Sequence, residues 1–169
     1  MRLPIIISAT LLLSLGLNLT AISETTAEKA QYQSPTNNSL NSRRLRFNQR
    51  LWEQANIYNY RITVSNSCFC IPDARGPVVI RVRNGQTTSI TSVATGKPVN
   101  PQYFQKYDTI PELFNVIQDA INRKAYNLDV EYNAKLGYPT KINIDYNSQI
   151  ADEEIFLTIE NFQELQTKR

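Results

Sequence analysis

Residues 78–93, VVIRVRNGQTTSITSV, decide the fold. Val78, Ile80 and Val82 alternate with Val79, Arg81 and Arg83, and this period of two is typical of a strand with one buried face. Asn84 and Gly85 then predict a type I′ hairpin turn, because both central positions of that turn need positive φ. A second strand follows over Thr87–Val93. This stretch therefore predicts an antiparallel hairpin.

The same alternation recurs along the chain. It predicts one strand before the hairpin and three more in the second half, the last two separated by a polar turn. The apolar positions of these four strands are Tyr60, Ile62 and Val64; Leu128, Val130 and Tyr132; Ile142, Ile144 and Tyr146; and Ile155, Leu157 and Ile159.

Two helices precede these groups of strands. Ser42 is a candidate N-cap for the first, in which Leu45, Leu51, Trp52, Ala55 and Tyr58 recur at helical spacing. The second has a capping box at Thr109 to Glu112 with proline in its first turn. An apolar stripe follows there, formed by Ile110, Leu113, Phe114, Ile117, Ala120 and Ile121. The expected fold is α+β in two αβββ units, with antiparallel sheet and both helices on one face.

The N-terminus predicts export. Arg2, an apolar run over Leu3–Leu17 and a small-x-small site at Ala21–Ser23 predict a signal peptide over residues 1–23. A retained anchor is the alternative, but the apolar run is shorter than a bilayer span. No cysteine near the site forms a lipobox. The protein is thus expected to be secreted or periplasmic, with no stable membrane span after cleavage.

The remaining chain divides by composition. Residues 24–41 are polar and predict a disordered linker, residues 42–165 form one α+β domain, and residues 166–169 form a tail. Without Arg2, 17 basic residues stand against 15 acidic ones. This weak bias does not favour a nucleic-acid partner. Arg43, Arg44, Arg46 and Arg50 make a basic concentration that reads either as a solvated helix face or as a contact for an anionic surface.

Cys68 and Cys70 are the sharpest chemical feature. Export would place them in an oxidising compartment, where they would form a disulfide. In a regular strand, residues i and i+2 have Cα atoms roughly 6.5 Å apart, and their Cβ atoms are too far apart for that bond. The chain should therefore leave strand geometry there, as Pro72, Asp73 and Gly76 also indicate. A structural disulfide, a thiol-exchange site and a soft-metal site remain open.

Three other groups of residues are candidate sites. Asp145, Asp152 and Glu153 could hold a hard cation, although a polar turn explains them as well. Phe69, Pro72, Asp73 and Arg75 form a possible binding loop. Tyr60, Tyr132, Tyr138 and Tyr146 offer an aromatic binding face or ordinary sheet packing. The chain has no histidine, so Ser-His and Cys-His catalysis are excluded, and no cofactor is predicted.

Ordered motifs give the chain a family resemblance over about Leu51 to Phe162. They are Tyr58-Asn59-Tyr60, Cys68-Phe69-Cys70, Gly76-Pro77-Val78, Asn84-Gly85, Leu113-Phe114, Gly137-Tyr138-Pro139-Thr140-Lys141-Ile142 and Asp152-Glu153-Glu154. Together they resemble the domain of unknown function 6174 family of secreted or lipid-anchored bacterial proteins. The resemblance implies a domain type without a reaction.

The sequence favours a non-enzymatic extracytoplasmic binding or interaction module, with an unknown envelope or extracellular partner. The exposed sheet face or the loop over Cys68–Gly76 would contact that partner. A thiol-disulfide or soft-metal-handling protein that uses Cys68 and Cys70 is the alternative.

Overall fold

The computed structural model describes residues 35–68, 70–149 and 154–166. Helix α1 (Pro35–Ala55) is followed by strand β1 (Tyr60–Asn66), the one-turn helix α2 (Pro72–Arg75) and strands β2 (Val78–Arg83) and β3 (Gln86–Ser92). A 3₁₀ helix (Pro101–Tyr103) leads to α3 (Ile110–Asn122), and β4 (Asn127–Tyr132), β5 (Pro139–Asp145) and β6 (Ile155–Glu164) complete the domain. The α+β class is confirmed.

The six strands form one antiparallel sheet in the order β3-β2-β1-β6-β5-β4. Consecutive strands pair within each half of the chain, and β1 with β6 joins the halves at the centre. The register aligns apolar residues across all six strands, as in the row Ile90, Ile80 and Ile62. These side chains form one continuous core with α1 and α3.

The predicted helix boundary at Ser42 is wrong. Helix α1 begins at Pro35, so residues 35–41 of the predicted linker belong to it. Ser42 is an interior residue of this helix, where its hydroxyl donates a hydrogen bond to the carbonyl of Asn38. Proline is favoured at the first helical position, and no glycine or second proline interrupts the next twenty residues. The predicted signal peptide and the rest of that linker lie outside the described residues.

The predicted order of two αβββ units is confirmed only in part, because the structure contains additional short helices. Helix α2 interrupts the first unit between β1 and β2, and the 3₁₀ helix precedes α3. The long helices contact each other and contribute to the core, whereas α2 contacts β1 and buries none of its residues. The connection from Ser67 to Pro77 is too long for a tight hairpin turn and forms this extra helical turn.

The predicted turn and the N-cap at Thr109 are confirmed, whereas the Glu112 carboxylate of the predicted capping box accepts a hydrogen bond from the Asn115 side chain. Asn84 and Gly85 have φ values of 49° and 76°, as a type I′ turn needs. The Thr109 hydroxyl accepts a 3.2 Å hydrogen bond from the backbone N–H of Glu112. At the other end of α3, Lys124 has a φ of 55°, and the N–H of Ala125 reaches the carbonyl of Ala120 in a Schellman motif.

A bulge in β6 changes the side-chain alternation near its end. Thr63 pairs with Glu160 and Arg61 with Gln163, so Asn161 and Phe162 together oppose Ile62. Asn161 adopts a φ of 50°. The extra residue brings Phe162 onto the core face, where it stacks on Tyr138 at a centroid distance of 4.8 Å.

The aromatic residues around Phe162 tie α1 to the sheet. Trp52 of α1 meets the rings of Tyr60 and Phe162 edge-on at 5.4 and 5.8 Å. Offset and edge-to-face ring contacts of this kind stabilise the fold in addition to the stabilisation that comes from burying the rings. Among the described helices, none is long and apolar enough to cross a membrane.

Candidate functional site

The face of the sheet opposite the core carries a cleft of about 480 Å³. It lies between the bulge of β6 and the junction that precedes β2, over the centre of the sheet. Its lining residues are Arg61, Ile62, Thr63, Pro77, Val79, Val93, Glu160 and Asn161. We call this feature the outer cleft.

The bulge builds one wall of the outer cleft. Asn161 Nδ2 donates a 3.3 Å hydrogen bond to Thr63 Oγ1. Thr63 is only 8% exposed, although it lies on the face that alternation assigns to solvent. The hydrogen bond compensates part of the cost of burying the Thr63 hydroxyl, and it fixes the floor of the cleft.

Pro77 contributes to the opposite wall, and Gly76 precedes it in the chain. Gly76 has a φ of 78°, and a Cβ atom there would lie 2.7 Å from the Val64 carbonyl oxygen. Only glycine therefore allows the chain to pass this close to β1. The Pro77 carbonyl accepts a 2.9 Å hydrogen bond from the backbone N–H of Val93, which holds the segment after β3 beside this wall.

The outer cleft combines apolar surface with both signs of charge. Val93 is 52% exposed and lies with Val79 and Pro77 at one side. Arg61 and Glu160 are exposed, and neither forms an ion pair with another residue in the described part of the chain. A guanidinium, a carboxylate and an apolar patch at one site suit a ligand that carries polar and apolar groups close together.

The structure bonds Cys68 to Cys70 in a disulfide, with Cα atoms 5.2 Å apart. Strand β1 ends at Asn66 and both cysteines lie in bends, so the predicted departure from strand geometry is confirmed. Both cysteines are half-buried. The backbone N–H of Ser67 still bonds to the Phe156 carbonyl at 2.9 Å, which anchors the start of the loop to β6.

The structure describes three of the four residues of the predicted binding loop. Pro72, Asp73 and Arg75 lie in α2 and are exposed, while Phe69 lies outside the described residues. Arg75 Nε donates a 2.8 Å hydrogen bond to the Cys70 carbonyl. The loop reaches the outer cleft through Gly76 and Pro77, so the cysteine loop and the cleft share one border.

The predicted cation cluster cannot be assembled from the described residues. Asp145 accepts a 2.9 Å hydrogen bond from the backbone N–H of Asn147, whereas Asp152 and Glu153 lie outside the described part. Within residues 35–68, 70–149 and 154–166, no group of three or more Cys, Asp or Glu side chains has the geometry of a metal site.

The four tyrosines lie in packed surroundings rather than on one open aromatic face. Tyr60 and Tyr138 are buried in the core. Burial raises the pKa of Tyr132 to about 12, against the opposing effect of the Arg44 guanidinium over its ring. The pKa of Tyr146 is also raised to about 12 by burial and by its hydrogen bond to Asp119.

Sequence reasoning missed the residues of the outer cleft. In the sequence, Thr63 and Val79 match ordinary solvent-facing positions of strands. Asn161 belongs to no motif that indicates a bulge or a binding site. Val93, at the end of the hairpin, was the one residue that could have indicated the cleft. It is an apolar residue at a position where the outward-facing residues of that strand are otherwise polar.

Comparison with known proteins agrees with the sequence motifs. A family model described as "Family of unknown function (DUF6174)" matches residues 44–164. No curated protein and no solved structure shows significant similarity to the chain. The match covers β1 to β6, including the cysteine loop and the outer cleft. The chain therefore belongs to the DUF6174 family.

Proposed function

We propose that this protein is a non-enzymatic, exported binding module and that its partner occupies the outer cleft. The observation that carries the proposal is the partly exposed Val93 beside Val79, in the same cleft as the charged groups of Arg61 and Glu160. Surface patches that mix an apolar centre with polar groups at the rim are typical of interaction sites.

The chemistry of the cleft favours a segment of a protein partner. Arg61 can receive a carboxylate and Glu160 can receive an ammonium or guanidinium group. Val79, Val93 and Pro77 can cover a small apolar side chain. A peptide segment offers all three kinds of group within a few residues, and the cleft is within the size range of ligand sites.

The N-terminal sequence predicts export, and an exported protein is consistent with this function. The apolar run over Leu3–Leu17 and the small residues at Ala21 and Ser23 are typical of a secretory signal. The partner would then be a protein of the cell envelope or of the extracellular medium.

A quantitative affinity purification tests the role of the cleft. The full chain with a C-terminal tag is compared with Val93→Asp combined with Glu160→Arg. The control pair, Ser89→Asp and Asp129→Arg, makes the same charge changes at exposed strand positions outside the cleft. A partner that the native chain and the control retain, and that the cleft variant loses, supports the proposal. Equal retention by all three chains contradicts it.

The bonded state of Cys68 and Cys70 favours a second candidate, a thiol-disulfide exchange protein. A substrate dithiol would be oxidised to a disulfide while the Cys68–Cys70 disulfide is reduced to two thiols, through a mixed disulfide. Mass spectrometry of the isolated protein separates the candidates. Mixed disulfides, or turnover of a thiol substrate that Cys68→Ser abolishes, would favour the exchange protein, whereas an inert intact disulfide favours the binding module.

A further inference from the structure

Helix α1 has a solvent-facing side that its packing role does not explain. Leu45 and Trp52 bury the opposite side of this helix. Leu40 and Phe47, two turns apart, are 53% and 56% exposed on the outward side. No described residue covers them.

Arginines surround these two apolar residues. Arg43, Arg46 and Arg50 are exposed on the same helical side, and none of them forms an ion pair within the described ranges. The helix has no acidic residue before Glu53. We call the surface formed by Leu40, Arg43, Arg46, Phe47 and Arg50 the basic helix face.

Arg44 differs from its neighbours, since its guanidinium has a structural role. Arg44 Nη2 donates a 2.8 Å hydrogen bond to the Val130 carbonyl, at the edge strand β4. It also lies 5.7 Å from the centre of the Tyr132 ring. The other three arginines are not needed for these contacts, and their charges remain available to an anionic partner.

We infer that the basic helix face binds the surface of an anionic lipid bilayer. The arginines would contact lipid phosphates while Leu40 and Phe47 enter the boundary between headgroups and acyl chains. Leucine or phenylalanine on a helix rich in arginine is the composition of interfacial helices. A nucleic acid would use the arginines but would leave the two apolar side chains in water, so charge and apolarity together favour the bilayer.

The inference is independent of the partner in the outer cleft. The cleft lies on the outer face of the sheet, whereas α1 packs with the core on the inner face. Loss of one binding activity therefore leaves the other testable.

Tryptophan quenching by brominated phospholipids tests the inference at the site itself. In the full chain with Phe47→Trp, the new indole reports contact with lipid, and the buried native Trp52 gives the background in the unaltered chain. Vesicles contain phosphatidylcholine alone or mixed with phosphatidylglycerol. The apolar N-terminal run can contact both kinds of vesicle, but only insertion of α1 quenches the residue at position 47. We expect quenching in the anionic vesicles that weakens as ionic strength rises.

Two triple variants in the Phe47→Trp background separate the local site from net charge. Arg43→Gln, Arg46→Gln and Arg50→Gln should weaken the quenching affinity about 100-fold, since each basic residue near an anionic surface contributes about a factor of five. Arg81→Gln, Lys97→Gln and Lys106→Gln remove equal charge elsewhere and should change it less than about threefold. Equal loss in both variants, or equal quenching in neutral and anionic vesicles, would overturn the inference. Binding to double-stranded DNA without quenching by anionic vesicles would overturn it as well.

Discussion

The hydroxyl oxygen of Tyr60 accepts a 2.9 Å hydrogen bond from the backbone N–H of Ile110. Strand β1 in the first half of the chain thereby supplies an acceptor for the first turn of α3 in the second half. Pro111 has no N–H, and the N–H groups of Glu112 and Leu113 bond to Thr109. Every donor in the first turn is therefore satisfied, and Tyr60 supplies the acceptor that the local sequence lacks.

Tyr60→Phe is expected to destabilise the fold by about 1–3 kcal/mol, because it leaves the buried N–H of Ile110 without an acceptor. Urea unfolding followed by circular dichroism measures the change. The control is Tyr58→Phe, at an exposed residue, which should stay within about 0.5 kcal/mol of the native chain. Equal stability of the two variants would show that the hydrogen bond contributes nothing net.

Gly137→Ala is expected to disturb the packing of α1 on the turn between β4 and β5. Gly137 has a φ of 76°, and an added Cβ would collide with the carbonyl oxygen of Asn48 and lie 2.8 Å from Leu51 Cβ. Gly96→Ala is the matched control, with a φ of 67° and no atom near the added Cβ. The control should lower the free energy of unfolding by about 1–2 kcal/mol through backbone strain alone. Gly137→Ala should lower it clearly more, because the steric overlap adds to that strain. Similar unfolding free energies would contradict this contact.

Alkaline pH should destabilise the protein through Tyr132 and Tyr146. Their folded pKa values are raised from 10.0 to about 12, so between these values the unfolded chain loses protons that the folded chain keeps. The contribution of these two tyrosines to the free energy of unfolding is therefore fully present below pH 10 and is lost as the pH rises toward 12. Denaturant unfolding across this range measures the slope. Tyr132→Phe combined with Tyr146→Phe should make the slope shallower without removing it, because burial also raises the pKa values of Tyr60, Tyr107 and Tyr138. An unchanged slope would assign the whole effect to those other groups.

Cys68→Ser combined with Cys70→Ser should leave the domain folded. The disulfide joins residues two apart in sequence, so it restricts the unfolded chain over a very short loop and stabilises by about 2 kcal/mol or less. Ser67, bonded to Phe156, still anchors the start of the loop without it. Urea titrations of the oxidised native chain and the variant give the comparison. A loss several times larger would mean that the disulfide organises more of the fold than its own loop.

Local signals in the sequence were sufficient for most of the elements. The alternation of Val78, Ile80 and Val82, the turn at Asn84 and Gly85, and the cap at Thr109 each depend on neighbouring residues, and each is confirmed. The start of α1 was not predictable from the same rules. Ser42 is a good N-cap residue, but its hydroxyl can equally bond to the carbonyl of Asn38 inside a longer helix.

The candidate sites divide in the same way. The sequence by itself determined that Cys68 and Cys70 can bond to each other only if the chain leaves the strand there, because covalent geometry forbids their bond in extended chain. Only the tertiary structure decided that Thr63 and Asn161 meet, since they are 98 residues apart and pair through the central β1 and β6. Alternation defines which face of a strand is buried, but strand order and bulges depend on how the two halves of the chain pack. Those long-range contacts place the outer cleft on the face that alternation had assigned simply to solvent.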